Sequence, residues 1–243
     1  MSQVVIITGA SRGLGLALAL RFLSKGEWVF GISRSKKHWP EAFKKARNSN
    51  RFSLTTLDIQ SEAAVKSYIR NLKKKVYRID ILINNAGYGG VLSRVEKLPL
   101  REFEHHLRAN LLGTFLLCKH TLPIFRKQKK GLILNIASMA AKRAVPQLAA
   151  YSAAKFGVLA LGQAIAKENL DIPLKCITIC PGGMNTQMRS SLFGDEDAQC
   201  QQSPDFVADI ILQIVEDKIK LETGSDITIR HSKVTDIHVP PTN

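Results

Sequence analysis

Tyr151 and Lys155 stand four residues apart in Tyr151-Ser152-Ala153-Ala154-Lys155. On a helix that spacing puts them one turn apart on the same face. A free phenol, with a pKa of about 10, is a poor acid–base group at neutral pH. An ammonium beside it favours the phenolate and pulls that value toward the range where proton transfer is efficient. Ser138 precedes the pair by thirteen residues, at the end of the apolar run Leu132–Ala137. Its hydroxyl can hydrogen-bond a substrate oxygen on which charge develops. Tyr-x3-Lys alone arises often by chance; the serine sharpens it.

A second constellation opens the chain. Thr8-Gly9-Ala10-Ser11-Arg12-Gly13-Leu14-Gly15 joins an apolar run, Val4–Thr8, to a helical pattern. A glycine-rich turn between strand and helix lets the backbone approach a pyrophosphate, and the helix behind it presents free N–H groups and a positive dipole end. The spacing is Gly-x3-Gly-x-Gly rather than the commoner Gly-x-Gly-x2-Gly. A site selective for NAD places Asp or Glu about 20 residues further on, to accept from ribose hydroxyls. That region reads Gly31-Ile32-Ser33-Arg34-Ser35-Lys36-Lys37, with no carboxylate. Arg34 is placed to fork onto a 2′-phosphate, with Arg12 meeting it from the other side and Ser33 donating to it. The expected cofactor is therefore NADP(H).

The elements that must position these groups follow from hydrophobic patterning. Strands are expected at Val4–Thr8, Trp28–Ser33, Phe52–Leu57, Ile79–Ile83, Leu132–Ala137, Lys175–Ile179 and Asp226–Arg230. Between them fall helical patterns at Leu14–Lys25, Pro40–Arg47, Glu62–Lys75, Leu100–Lys119 (ended by Pro123), Ala149–Glu168 and Pro204–Val215. The strands are continuous and rich in Val and Ile, as expected for strands buried on both faces of a parallel sheet. Strand–helix repetition implies right-handed crossovers. The expected fold is α/β, a Rossmann-type doubly wound, mostly parallel seven-stranded sheet with helices on both faces. Ligands bind such sheets at the carboxyl ends of the strands, where every motif here falls.

In this arrangement the chain resembles the short-chain dehydrogenases/reductases of the single-domain type, among them 3-oxoacyl-carrier-protein reductases and related carbonyl reductases. The likeness runs from Val4 to about Arg230. It rests on the Thr8–Gly15 cradle, Asp58, Asn84-Asn85-Ala86-Gly87, Asn110 in Ala109-Asn110-Leu111-Leu112-Gly113, the Ser138–Tyr151–Lys155 set, and Pro181-Gly182-Gly183-Met184-Asn185-Thr186. The resemblance implies that Tyr151 donates the proton in reduction, that Lys155 lowers its pKa and holds the nicotinamide ribose, and that Ser138 orients the carbonyl. It gives Asn110 a water linking Lys155 to solvent, and puts Asp58 and Ile59 on the adenine. Gly9, Ser11, Arg12, Gly13, Leu14 and Gly15 hold the phosphates. Asn85, Ala86 and Gly87 line the cofactor, and Pro181, Gly182 and Thr186 lie near the nicotinamide. The reaction implied is hydride transfer between a nicotinamide and a carbonyl or secondary alcohol carbon. Segment 187–203 would be a substrate lid, shorter than that of the 3-oxoacyl reductases. The C-terminal residues 231–243 read as a polar tail, without the Asp/Asn-Gly-Gly turn usual there. A homodimer or homotetramer is implied, with the helices at 100–119 and 149–168 as one interface.

Composition sets the remaining bounds. The chain has 243 residues and a formal net charge of +15. That length suits one domain, 1–243, with a core large enough to stand without disulfides or metal. The cysteines, Cys118, Cys176, Cys180 and Cys200, form no CxxC, and the histidines show no metal spacing, so no metal is expected. His105, His106 and His120 read as surface or helix-packing residues. No signal peptide or membrane span is readable, and a cytoplasmic, reduced protein is expected. Residues 1–130 carry a net +17 and the rest −2. This is either a solvated basic surface or a face for an acidic partner or phosphorylated ligand. Few aromatics sit among the basic clusters, so nucleic acid is not expected.

The leading expectation is an NADPH-dependent oxidoreductase reducing a small-molecule ketone or a 3-oxoacyl carbonyl, the latter thioester-linked. An NADP-dependent dehydrogenase of a sugar, polyol or steroid alcohol uses the same groups. A cofactor-binding regulator without turnover would be expected to lose Tyr, Lys or Ser, and all three are present. Pocket walls are expected from 88–98, 140–150 and 184–203, with Leu92, Val145, Leu148, Met184, Met188 and Leu192 making them partly apolar.

Overall fold

The structure, a computed structural model, describes residues 2–35 and 50–241. Strand β1 (Val4–Thr8) leads into α1 (Gly13–Ser24), then β2 (Trp28–Ser33), β3 (Phe52–Thr56), α2 (Glu62–Lys75) and β4 (Ile81–Asn84). Next come α3 (Leu100–His106), a π-helical turn (Leu107–Leu112) and α4 (Gly113–Gln128), then β5 (Gly131–Ile136), α5 (Ala149–Glu168) and β6 (Leu174–Pro181). Two short helices, α6 (Gln187–Phe193) and α7 (Asp195–Gln199), precede α8 (Pro204–Val215), β7 (Asp226–Arg230) and β8 (Lys233–His238). The helix expected at Pro40–Arg47 lies outside the described residues.

The sheet runs β3-β2-β1-β4-β5-β6-β7-β8. The first seven pair in parallel, and the order reverses between β1 and β4. Alternate residues of each strand serve opposite layers. Val5 and Ile7 join a core with α1 and α8, whereas Ile6 joins one with α2, α4 and α5. Both faces being covered there, the inner strands β1, β4, β5 and β6 carry the continuous apolar runs that their sequence shows.

The sheet has eight strands rather than seven. Residues 233–238, expected as tail, fold back antiparallel on β7 through His231 and Ser232, both at positive φ (51° and 54°). That conformation suits a two-residue hairpin, though neither is the usual Gly or Asn. β8 is an exposed edge, so its sequence is polar. The second departure is Pro123, which does not end its helix; α4 continues to Gln128. Proline removes the bond to the Lys119 carbonyl, but both residues lie on the solvent side, where water can take that carbonyl.

Candidate active site

Beyond the carboxyl ends of β1, β2, β4 and β5 lies a cleft of about 580 Å³. Gly9, Ser11, Arg12, Gly13 and Leu14 of the turn after β1, with Ser33, Arg34, Asp58, Ile59, Asn85, Ala86, Gly87, Tyr151, Lys155 and Thr186, all line it. Ser138, Asn110 and Gly15 do not line it but touch residues that do: the Ser138 hydroxyl bonds the Tyr151 phenol, Asn110 accepts from the Tyr88 N–H, and Gly15 packs on Gly9 and Asn85; Pro181 and Gly182 lie outside the lining.

The cradle is held open by close backbone approach. Gly9 (φ +68°) has its hydrogen toward Ala86 Cα, 2.9 Å from where a Cβ would stand. Gly15 packs directly on the Gly9 carbonyl and the Asn85 amide. Asn85 Nδ2 donates to Thr8 O at 3.0 Å, and the N–H groups of Asn85 and Ala86 donate to Thr8 Oγ1 at 3.0 and 2.9 Å. These bonds tie the loop after β4 to the cradle. No side chain caps α1, and its first turn has no acidic residue, so its positive end faces the cleft uncompensated. Arg12 reaches across to Gln187 Oε1 at 2.6 Å. Arg34 is exposed at the cleft rim. Ser33 is buried and its hydroxyl donates to the Ser35 carbonyl at 3.1 Å. Asp58 Oδ1 accepts from the Gln60 N–H at 3.0 Å, and Ile59 packs on Gly113. A glycine-rich cradle at a helix N-terminus and two arginines fit a phosphate-bearing dinucleotide.

At the other end Lys155, 4% exposed, donates from Nζ to Ile136 O at 2.8 Å. Its Nζ lies 5.7 Å from the Tyr151 ring centre. Burial holds the Lys155 ammonium down, to about 8. Burial also holds the Tyr151 phenol above its ordinary value, opposed by a hydrogen bond with the Ser138 hydroxyl. Ser138 Oγ accepts from the Ala140 N–H at 3.1 Å, and its own proton meets the Tyr151 phenol oxygen. Asn110 sits in the π-helical turn. Its Oδ1 accepts from the Tyr88 N–H at 2.9 Å, and its Nδ2 donates to the carbonyls of Tyr88 (3.0 Å) and His106 (3.2 Å). The side chain is thus spent clasping the loop after Gly87. Thr186 Oγ1 accepts from the Arg189 N–H at 3.3 Å, capping α6, and Gly182 packs under Arg230.

A match to the family described as short chain dehydrogenase covers residues 3–197. The chain belongs to that family. It is 30% identical over 204 residues, 84% of each chain, to the NADPH-dependent pterin aldehyde reductase of Arabidopsis thaliana. The solved structure of ElxO with NADP bound superposes with a TM-score of 0.82 at 26% identity, covering 94% of this chain and 97% of that one. A 3-ketoacyl-(acyl-carrier-protein) reductase from Brucella melitensis, complexed with NADH, does so at 0.84 and 26%, covering 93% and 96%. As a short-chain dehydrogenase the protein is a nicotinamide-using oxidoreductase with a Rossmann-type fold.

Within this dehydrogenase the wall segments expected at 88–98 and 184–203 supply Tyr88 and Met188 to the cleft, whereas the pairing of Tyr88 with Glu102 and the approach of His106 to Tyr151 were not read from the sequence. Tyr88 lines the cleft, and its hydroxyl donates to Glu102 Oε1 at 2.9 Å. Of the two expected roles for His106, surface or helix packing, the structure gives it packing, for it is buried. Its ring lies 5.0 Å from that of Tyr88 and 6.1 Å from that of Tyr151. Burial holds its imidazole below the ordinary value, against the pull of Glu102. Glu102 and His106 are i,i+4 on α3, a legible spacing; the reach to Tyr151 is not local and has no sequence signal. Met188 and Leu192 of α6 pack over Gly89, where a Cβ would come within 2.8 Å of Met188 Cγ. Among the described residues no helix is long and apolar enough to cross a membrane, and no group of His, Cys, Asp or Glu is arranged to hold a metal ion.

Proposed function

We propose that this short-chain dehydrogenase is an NADPH-dependent carbonyl reductase acting on a ketone or 3-oxoacyl carbonyl, with Tyr151 as proton donor. The observation that carries this reading is the layout of the cleft. Tyr151, hydrogen-bonded to Ser138, and Lys155 line the same cleft as Arg12 and Arg34. The cradle, the N-terminus of α1 and the two arginines would hold the phosphates, and Asp58 and Ile59 would flank the adenine. Bound there, the cofactor supplies the hydride. Ser138 donates to the carbonyl oxygen and orients it. Tyr151 delivers the proton to that oxygen as charge develops, with the nearby Lys155 ammonium favouring the phenolate left behind. The name of the Arabidopsis relative, an NADPH-dependent reductase of an aldehyde, supports this direction and cofactor.

On the same reading, segment 187–203 is a lid over the substrate. Met184 and Met188 give the cleft an apolar, adaptable wall. The chain would act as a homo-oligomer, for which the exposed Phe115 and Phe156 on α4 and α5 offer apolar contact.

The test is loss of reduced cofactor with a 3-oxoacyl thioester and a panel of ketones and aldehydes, using NADPH and NADH side by side. Turnover with NADPH is expected, falling at least 100-fold in Tyr151→Phe. Undiminished turnover in that variant, or equal use of both cofactors, would sink the corresponding half of the reading.

A further inference from the structure

Ser138 opens a single turn, Met139–Ala141, that closes at Lys142. Its hydroxyl accepts from the Ala140 N–H at 3.1 Å, and Lys142 N–H donates to Met139 O at 3.0 Å. The direction of the serine proton therefore depends on how this turn is set. Only three residues separate one end from the other.

The far end of the turn is anchored to a buried carboxylate. Asp226, the first residue of β7, is fully buried. Its Oδ1 takes the Lys142 ammonium, and its Oδ2 faces His238 Nδ1 of β8 at 3.0 Å. Asp236 lies 3.9 Å from the same ammonium. Cys180 of β6, itself fully buried, faces the Ser138 backbone and lies in the field of both Asp226 and Lys142. A carboxylate taken out of water persists only when paired. Ile227 and Ile229, its neighbours on β7, face the opposite layer of the sheet, so Asp226 takes no part in the apolar packing that they join. The pair instead joins residues 84 apart in sequence, and its effect is to fix the turn that aims Ser138.

We propose that Lys142 and Asp226 are positioning residues for Ser138, and that β8 completes their anchor through His238. This rests on the reading of Ser138 as the group that orients the carbonyl. Releasing the anchor leaves the serine present but misaimed, and misplacement of such a group by about 1 Å costs up to about 100-fold in rate.

The test is a double-mutant cycle with whichever carbonyl compound of the panel the wild type turns over fastest. Lys142→Met/Asp226→Asn removes both charges together, so neither is left buried alone. Its kcat is expected to fall about tenfold with the KM for NADPH unchanged. In a Ser138→Ala background the same pair should change kcat less than twofold, because the serine it acts through is gone. Lys142→Arg, which keeps the charge, should hold kcat within about threefold of wild type. Equal losses in both backgrounds would show a general structural effect and overturn the proposal, as would an unchanged kcat with Ser138 in place. Asp226→Asn alone keeps the shape of the anchor and answers the same question should the pair not fold, with a loss of about threefold that vanishes in the Ser138→Ala background. Ser138→Ala with wild-type turnover would remove the reading of Ser138 itself, a distinct failure that the cycle separates from the first.

Discussion

The Lys155 ammonium nitrogen lies 2.8 Å from the Ile136 carbonyl oxygen and 5.7 Å from the centre of the Tyr151 ring. A cation there is 4% exposed and has no carboxylate partner among its described hydrogen bonds and ion pairs. Burial pushes its pKa down from 10.5 to about 8.

That depression carries a stability cost with a definite pH window. Below pH 8 the lysine is charged in the folded and unfolded chain alike, and the cost is fully present. Between about 8 and 10.5 the unfolded chain keeps a proton that the folded one has shed, so stability rises with pH. The shift corresponds to roughly 3 kcal/mol. Lys155→Met should therefore have a higher Tm than wild type at pH 7, with the gap closing toward pH 10. Its turnover should fall by at least 100-fold. Calorimetry of both proteins across this range checks the sign; a lower Tm for the variant at pH 7 would refute it.

Cofactor choice should depend on Arg34. A guanidinium on a phosphate makes a charge-assisted bond of about 1.5–3 kcal/mol. Arg34→Ala is expected to raise the KM for NADPH about 10- to 100-fold and leave kcat and the KM for NADH nearly unchanged. Initial rates over a range of each cofactor decide it. An equal change for both would place Arg34 away from the 2′-phosphate.

The inner parallel strands β1, β4, β5 and β6 were legible because they are buried on both faces and so carry nearly unbroken apolar runs, and the half-exposed edge strand β3, FSLTT, was legible from its Phe and Leu alternating with polar residues. β8 was not, because it is an edge strand with a polar, exposed sequence, a turn of His231 and Ser232, and a register shift between Thr228 and Ile229. Pro123 misled because its helix breaks a bond only on the solvent side. The cleft was legible where its chemistry is local: a glycine turn between strand and helix, or Tyr151 and Lys155 at i,i+4. What stayed hidden joins distant positions. Asp226 meets Lys142 across 84 residues, Gln187 meets Arg12 across 175, and His106 reaches the Tyr151 ring from another helix. Patterning within a window cannot register such pairs.

Gly15 should tolerate no side chain. A Cβ there would run into the Gly9 carbonyl and the Asn85 amide, both parts of the cradle rather than ends of flexible chains. Gly15→Ala is expected to cost about 1–3 kcal/mol in stability and to weaken NADPH binding at least tenfold. Denaturant melts and cofactor titration by fluorescence would register both. Wild-type affinity in the variant would mean that the cradle adjusts in a way the close packing of Gly9, Gly15 and Asn85 argues against.

Gln187 should act against cofactor binding. Its side-chain oxygen takes the Arg12 guanidinium at 2.6 Å, at the start of α6. If Arg12 also serves a cofactor phosphate, the two acceptors compete for one fork of donors. The contact is exposed, so it is worth about 0.5–1.5 kcal/mol. Gln187→Ala should then tighten NADPH binding about three- to tenfold, and in an Arg12→Ala background it should change affinity by less than twofold. Binding measured by calorimetry in the four proteins of the cycle gives the coupling directly. Weaker binding in Gln187→Ala would show that Gln187 helps to hold the cofactor instead, with Arg12 steadied rather than diverted by it.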